Sequence, residues 1–215
     1  MAELLKQPLL RWSNPLREAD DGALFLWTLD GRPAVAACVY NVGDTMIEHE
    51  LQSLASTPLH ATRRDKPVWT PPTAGVEFKP VPDKPDPPAS TPARRLTQMR
   101  NILREFSAAM GHAQWRHELR LMPQPLYRYG ADDEAGVLDG ALFAFAQGTD
   151  PEILLLLEAR GKDEESREWQ YAVARMNMGD LELKHAGEIV WRIDNWDRRL
   201  DPRQPYITFA FDRDR

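Results

Sequence analysis

Asp21-Gly22-Ala23-Leu24-Phe25 returns letter for letter as Asp139-Gly140-Ala141-Leu142-Phe143, 118 positions later. Outward from this pair the register holds. Pro33 meets Pro151, Gly43 meets Gly161, Glu50 meets Glu168 and Gln52 meets Gln170 at the same offset. Upstream, Gln7-Pro8-Leu9-Leu10-Arg11-Trp12 returns as Gln124-Pro125-Leu126-Tyr127-Arg128-Tyr129. Downstream, Val68-Trp69 meets Val190-Trp191 at a slightly larger offset, as a loop insertion gives. Self-similarity at a long fixed period marks a chain built from copies of one unit.

Each copy reads as an antiparallel β-meander. Residues 23–29, 34–41 and 46–55 are apolar or alternating runs separated by Asp30-Gly31-Arg32-Pro33 and by a turn around Gly43-Asp44; residues 141–147, 152–160 and 167–177 take the same places in the second copy. A hairpin follows each meander, over 59–70 and over 181–193 with its turn at Ala186-Gly187. The runs 23–29 and 141–147 are apolar at both alternating sets of positions, so both faces of these strands need a cover. The repeated Asp-Gly pairs and prolines are assigned to turns, and the repeated Leu24/Leu142 and Phe25/Phe143 to core.

Between the copies, nine of the eighteen prolines fall within 67–92, which predicts an extended connector. One helix is signalled over 92–111. Thr91 suits the N-cap, Pro92 the first turn and Gly111 the end, while Leu96, Met99, Leu103, Phe106 and Met110 form one apolar stripe. The expected organisation is a first β repeat over 1–70, a connector over 71–91, the helix over 92–111 and a second β repeat over 112–215, in one compact domain. The expected fold class is mainly β (α+β), with duplicated antiparallel meanders and one main amphipathic helix; barrel-like closure of the meanders is the alternative.

The chain has 215 residues, 42% of them hydrophobic, with a net charge of -6. That composition supports a real core and argues against a nucleic-acid partner. The charge is uneven: residues 60–120 carry eleven Lys or Arg against six Asp or Glu. Cys38, the one cysteine, lies in an apolar run and reads as a buried, inert thiol. The N-terminal residues lack the pattern of a signal peptide and no apolar run is long enough to span a bilayer, so a cytoplasmic protein without membrane contact is the expectation.

Three polar identities stand out: Arg11/Arg128, Glu50/Glu168 and Gln52/Gln170. Glu50 and Gln52 are two apart and share a strand face, as do Glu168 and Gln170. The simplest account pairs Arg11 with Glu50 and Arg128 with Glu168, fixing register in each copy. A rival account makes Glu50 and Glu168 an acid–base pair in a hydrolase-like enzyme, with His49 nearby. Among the tryptophans, Trp115, Trp169 and Trp196 have no aromatic counterpart in the other copy and are the candidates for stacking on a ligand. Arg94, Arg95, Arg100 and Arg104 offer an anion-binding helix surface. His49, His60, His112, His117 and His185 do not fall in metal-ligand spacing, and Asp194, Asn195, Asp197 and Asp201 lack the glycine and distal glutamate of a calcium loop. No nucleotide loop or nucleophile elbow occurs, so no metal or cofactor is expected. The leading expectation is a non-enzymatic protein that binds another protein or a small polar ligand in a groove or at a sheet edge between the halves, through Arg11, Gln52, Arg128, Gln170, Trp115 and Trp169, with homo-oligomers allowed.

Overall fold

The computed structural model describes residues 1–14, 19–43, 45–111, 115–132, 135–163, 166–195 and 201–212. Asp44, His112, Trp196 and Asp197 lie outside the described residues. The chain runs β1 (Glu3–Leu4), β2 (Leu10–Asn14), β3 (Ala19–Leu29), β4 (Arg32–Val42), β5 (Met46–Ser53), β6 (Ala61–Arg63), β7 (Lys66–Trp69) and β8 (Lys79–Pro80). It continues through α1 (Pro92–Arg104), β9 (Phe106–Met110), β10 (His117–Tyr129), β11 (Val137–Gln147), β12 (Asp150–Arg160), β13 (Glu168–Arg175), β14 (Leu181–His185), β15 (Glu188–Ile193) and β16 (Tyr206–Asp212).

The fold is mainly β, with antiparallel sheets and one helix among the described residues. The first sheet runs β1-β3-β4-β5-β16, with β2 also on β3; the second runs β15-β14-β9-β10-β11-β12-β13-β8; β6 and β7 form a two-stranded sheet. The eight-stranded sheet curls as a half-barrel and does not close on itself: β15 and β8 are its two ends.

The two halves make the same ladders. Leu24 pairs with Cys38 and Leu142 with Leu156, and each ladder slips at the same place, between Trp27 and Thr28 and between Phe145 and Ala146. Leu4 opposite Trp27 and Arg11 opposite Ala23 match Leu121 opposite Phe145 and Arg128 opposite Ala141, so β1 and β2 together occupy the place of β10. In the hairpins, Ala61 opposite Trp69 matches Leu183 opposite Trp191, and both slip at the next residue. Arg64-Asp65 and Ala186-Gly187 turn them, all at positive φ as a two-residue hairpin turn requires.

One sequence alignment changes. β4 ends at Val42 and β5 starts at Met46, whereas β12 ends at Arg160 and β13 starts at Glu168. The longer second loop shifts the offset, so Glu50, opposite Cys38, occupies the place of Ala172, opposite Leu156. Gln52 likewise matches Ala174. The identities Glu50/Glu168 and Gln52/Gln170 are therefore not structural equivalents.

Two further expectations are corrected. Asp21-Gly22 and Asp139-Gly140 lie inside β3 and β11, not in turns. The glycine is needed there because an aromatic ring lies on its backbone: an added Cβ would sit 2.3 Å from the Trp12 ring at Gly22 and 2.2 Å from the Tyr129 ring at Gly140. The helix ends at Arg104, with Glu105 as its cap, and not at Gly111. Residues 106–110 are drawn into β9 because they bridge two strand edges, pairing with β10 on one side and β14 on the other. Helix periodicity runs through Phe106 and Met110, but sheet hydrogen bonding decides their conformation.

Three apolar layers result. Between the sheets lie Leu24, Leu26, Ala36 and Cys38 of the first half and Leu142, Ala144, Leu154 and Leu156 of the second. On the outer face of the second sheet, Met99, Ile102 and Leu103 of α1 pack on Phe143, Phe145, Leu155 and Leu157. On the outer face of the first sheet, Val35, Trp69 and Ile207 form a small cluster that Trp27, Leu51 and Phe209 partly join. Crossed strands tie the halves together: β8, from the first half, pairs with β13, and β16, at the end of the chain, pairs with β5.

A Gly140→Ala variant is expected to unfold at lower denaturant with a loss of about 2 kcal/mol, because the buried Tyr129 ring cannot yield without disturbing the core. A Gly31→Asn variant, at positive φ with open space around it, is expected to change stability by less than about 0.5 kcal/mol. Equilibrium urea unfolding of both variants checks the contrast.

Candidate functional site

The repeated arginines find different partners from those expected. Arg128 pairs with Asp139, its Nε donating to Oδ1 at 3.0 Å and a terminal nitrogen to Oδ2 at 2.7 Å. Arg11 faces Asp21 at 3.8 Å. The aspartate of the repeated Asp-Gly is thus the partner in both halves, because Arg11 and Ala23 stand opposite on the ladder, and Arg128 and Ala141 likewise, two residues from each aspartate on the same face.

The two pairs differ in cover. Asp139 also receives Nε of Arg95 from α1 at 2.8 Å, and both side chains are buried. Arg95 further donates to the carbonyls of Ala89 and Ser90, and Arg128 to that of Pro92, so the head of the helix is fastened to the sheet. Among the described residues nothing comparable overlies the pair in the first half: the side chains of Arg11 and Asp21 are 73% and 69% exposed.

The same contrast extends across the outer faces. Phe143, Phe145 and Leu157 are each 0% exposed under α1. Their ladder equivalents Phe25, Trp27 and Val39 are only half-buried. Tyr171, buried against Phe106, corresponds to half-buried His49. His49 stacks on Phe209 at 5.1 Å, and Phe211, 51% exposed, closes on its edge at 5.4 Å. Burial holds the His49 imidazole below its ordinary pKa, against opposing contributions from Ile47 and Glu48. The first half therefore carries a half-buried apolar, aromatic sheet face, on part of which Trp69 of the hairpin packs, with an ion pair at its rim.

The other predicted site residues are dispersed. Glu50 is buried and accepts hydrogen bonds from the hydroxyls of Tyr206 at 3.0 Å and Tyr40 at 3.4 Å. Burial and the Glu50 carboxylate push both phenols up, and burial raises the neighbouring Cys38 thiol. Glu168 is exposed at the start of β13 and accepts from Nε2 of Gln170. The two glutamates do not share a cleft. Gln52 is buried, its amide donating to the carbonyl of Ser53 at 2.7 Å. Trp169 is 2% exposed and belongs to the helix-covered core, so it is not a stacking platform, whereas Trp115 is 72% exposed. Arg95 is buried on Asp139 and withdrawn from the expected anion-binding surface; Arg100 and Arg104 bond to Gln124 and Asn101. Among the described residues no group of three or more His, Cys, Asp or Glu side chains is placed to hold a metal. Nor is any described helix long and apolar enough to cross a membrane.

Beside the inter-sheet core, the described residues border a cavity of about 540 Å³ at Ser56, Val76, Arg160, Lys162 and Gln170 and, adjoining it, one of about 460 Å³ near Arg32, Phe78, Asp132 and Glu158. The charged groups of the latter serve the fold. Arg32 of the first half reaches Glu158 of the second at 2.8 Å, and Glu158 also accepts from the Tyr129 hydroxyl at 2.8 Å. Burial and Glu158 hold that phenol well above its ordinary pKa.

The outer face of the first sheet escaped the sequence reading, although its residues were legible. Phe25 and Phe143 carry the same letter, and only the tertiary structure distinguishes a fully buried face from a half-buried one. The chain matches no protein-family model, no curated protein and no solved structure.

Two outcomes follow from these environments. Asp139→Asn is expected to cost about 3 kcal/mol, since it strands buried Arg95, whereas Asp21→Asn costs less than about 1 kcal/mol in an exposed pair; denaturant unfolding of both measures the gap. The lowered His49 pKa means the unfolded chain binds its proton more readily. Stability should then fall as pH drops through about 6.5, the unfolded value, and level off below the folded pKa. His49→Phe should flatten that window in a pH series of Tm.

Proposed function

We propose that this protein is a non-catalytic binding module built by internal duplication, in which one copy keeps its outer sheet face for another polypeptide. The observation that carries this is the contrast between Phe143, Phe145 and Leu157, all fully buried, and Phe25, Trp27 and Val39, half-buried at the same ladder positions. An apolar face on a folded protein favours removal from water, and contiguous apolar patches commonly serve as interaction sites. Duplication is supported by the matching ladder slips and hairpin turns, which follow no requirement of β geometry in general. A binding role is favoured over hydrolysis because Glu50 is engaged by two tyrosines while Glu168 lies exposed elsewhere. It is favoured over a small polar ligand in the cavity at Arg32 because Arg32 and Glu158 there bond to each other.

A photoreactive phenylalanine analogue at position 25 tests this in the native cell, with the same analogue at exposed Ile189 as control. The expected result is one discrete cross-linked polypeptide from position 25 that is missing from position 189. Identical adducts from both positions, or none from 25, would remove the basis for a binding face.

A further inference from the structure

The second half contains a worked example of what the first half's face accepts. Its cover is one continuous segment, α1 followed by β9. Arg95 binds Asp139; Met99, Ile102 and Leu103, at four, seven and eight residues beyond it, enter the apolar face; β9 then joins β14 to the main sheet. The first half repeats part of this receiving surface, with Ala37 in the place of Leu155 and with β1 too short to offer the edge that residues 117–119 offer β9. Asp21 stands where Asp139 stands and, among the described residues, pairs with Arg11 alone, at 3.8 Å, although a carboxylate has room for several donors. Phe25, Trp27, Val39 and Leu51 hold the places of Phe143, Phe145, Leu157 and Val173. The hairpin β6–β7, counterpart of β14–β15, stays a separate two-stranded sheet, so among the described residues no strand pairs with β6 where β9 pairs with β14. A half-buried apolar face thus has a carboxylate towards one end of β3 and the β6–β7 hairpin towards the other.

We infer that the partner of this face is a helix–strand segment of another polypeptide: an amphipathic helix carrying an arginine for Asp21 and apolar residues four, seven and eight positions later, followed by a short strand for the edge of β6. This specifies the chemistry of the partner and rests on the protein-binding reading above. Charge complementarity sets the polarity, since the helix must enter with its first turn over Asp21, as α1 does over Asp139. Helix-in-groove docking and strand addition are each established modes of peptide recognition, and here one segment uses both. A second copy of this chain is the poorer occupant, because its own α1 is already fastened to Asp139 through Arg95.

The probe is a capped synthetic peptide with the sequence of residues 91–110, titrated into the full chain labelled with nitrogen-15. Saturable binding is expected, with amide shifts confined to β3–β6. Replacing the arginine that corresponds to Arg95 by glutamine should weaken binding about tenfold, as should Asp21→Asn in the protein, and combining them should weaken it no further. Shifts in β11 and β12 would mean exchange with the resident helix and would overturn the inference, as would binding indifferent to the arginine. A dimer in sedimentation velocity that Phe25→Arg abolishes would also overturn it, naming a second copy as the occupant. If the peptide does not bind while the cross-linker at position 25 still captures one polypeptide, the helix–strand inference falls and the binding module stands. If both fail, both fall.

Discussion

A strand that is apolar on both faces has to be covered on both, and this constraint organises the molecule. β3 and β11 are such strands. Their inner faces cover each other, through Leu24 and Leu26 against Leu142 and Ala144, which joins the halves face to face. The outer face of β11 calls for a second cover, supplied by α1. Each large side chain sealed there contributes about 2 kcal/mol relative to exposure, and the Arg95–Asp139–Arg128 bonds set where the helix sits. The outer face of β3 has the same sequence character and, among the described residues, no helix over it, only the partial cover of Trp69 and its hairpin. The asymmetry between two similar halves is the central physical fact about this protein.

The links between the halves keep this arrangement in one register. β8 and β16 are reciprocal: each follows the hairpin of its own half and adds to the sheet of the other. At one end Arg32 crosses to buried Glu158, and elsewhere Tyr206 of β16 crosses to buried Glu50. Buried charged groups of this kind are weak sources of net stability, since desolvation offsets much of their attraction, but breaking one partner away is costly. They suit a role in holding orientation. The acidic residues that looked available for chemistry in the sequence are thus largely engaged in assembling the fold.

The unusual chemistry left over is on a surface. His49, Phe209 and Phe211 form an aromatic group on the outer face of the first sheet, beside Trp27 and Leu51. An apolar area with an ion pair at its rim offers little to a small polar substrate, which needs several converging polar groups. It is well shaped for an amphipathic element, whose apolar side chains gain from burial and whose one charged group meets its complement at the edge.

By itself the sequence determined the meanders, the turns at Asp30-Gly31 and Ala186-Gly187 and the likeness of the Asp-Gly-Ala-Leu-Phe stretches. Alternating apolar residues and Asp-Gly or Ala-Gly turns are local signals, and local backbone preference is enough to read them. The five repeated letters from Asp21 and from Asp139 also marked the positions that matter, although the aspartate proved to be an arginine's partner and the glycine a seat for an aromatic ring. The tertiary structure alone decided that Arg128 chooses Asp139 over Glu168, that the helix stops at Arg104 so that β9 can bridge two strand edges, and that Trp169 is core. It alone decided that Phe143 is fully buried and Phe25 only half-buried. Each of these depends on which distant segment arrives at a given face, and a side chain's own letter carries no record of what lies across from it.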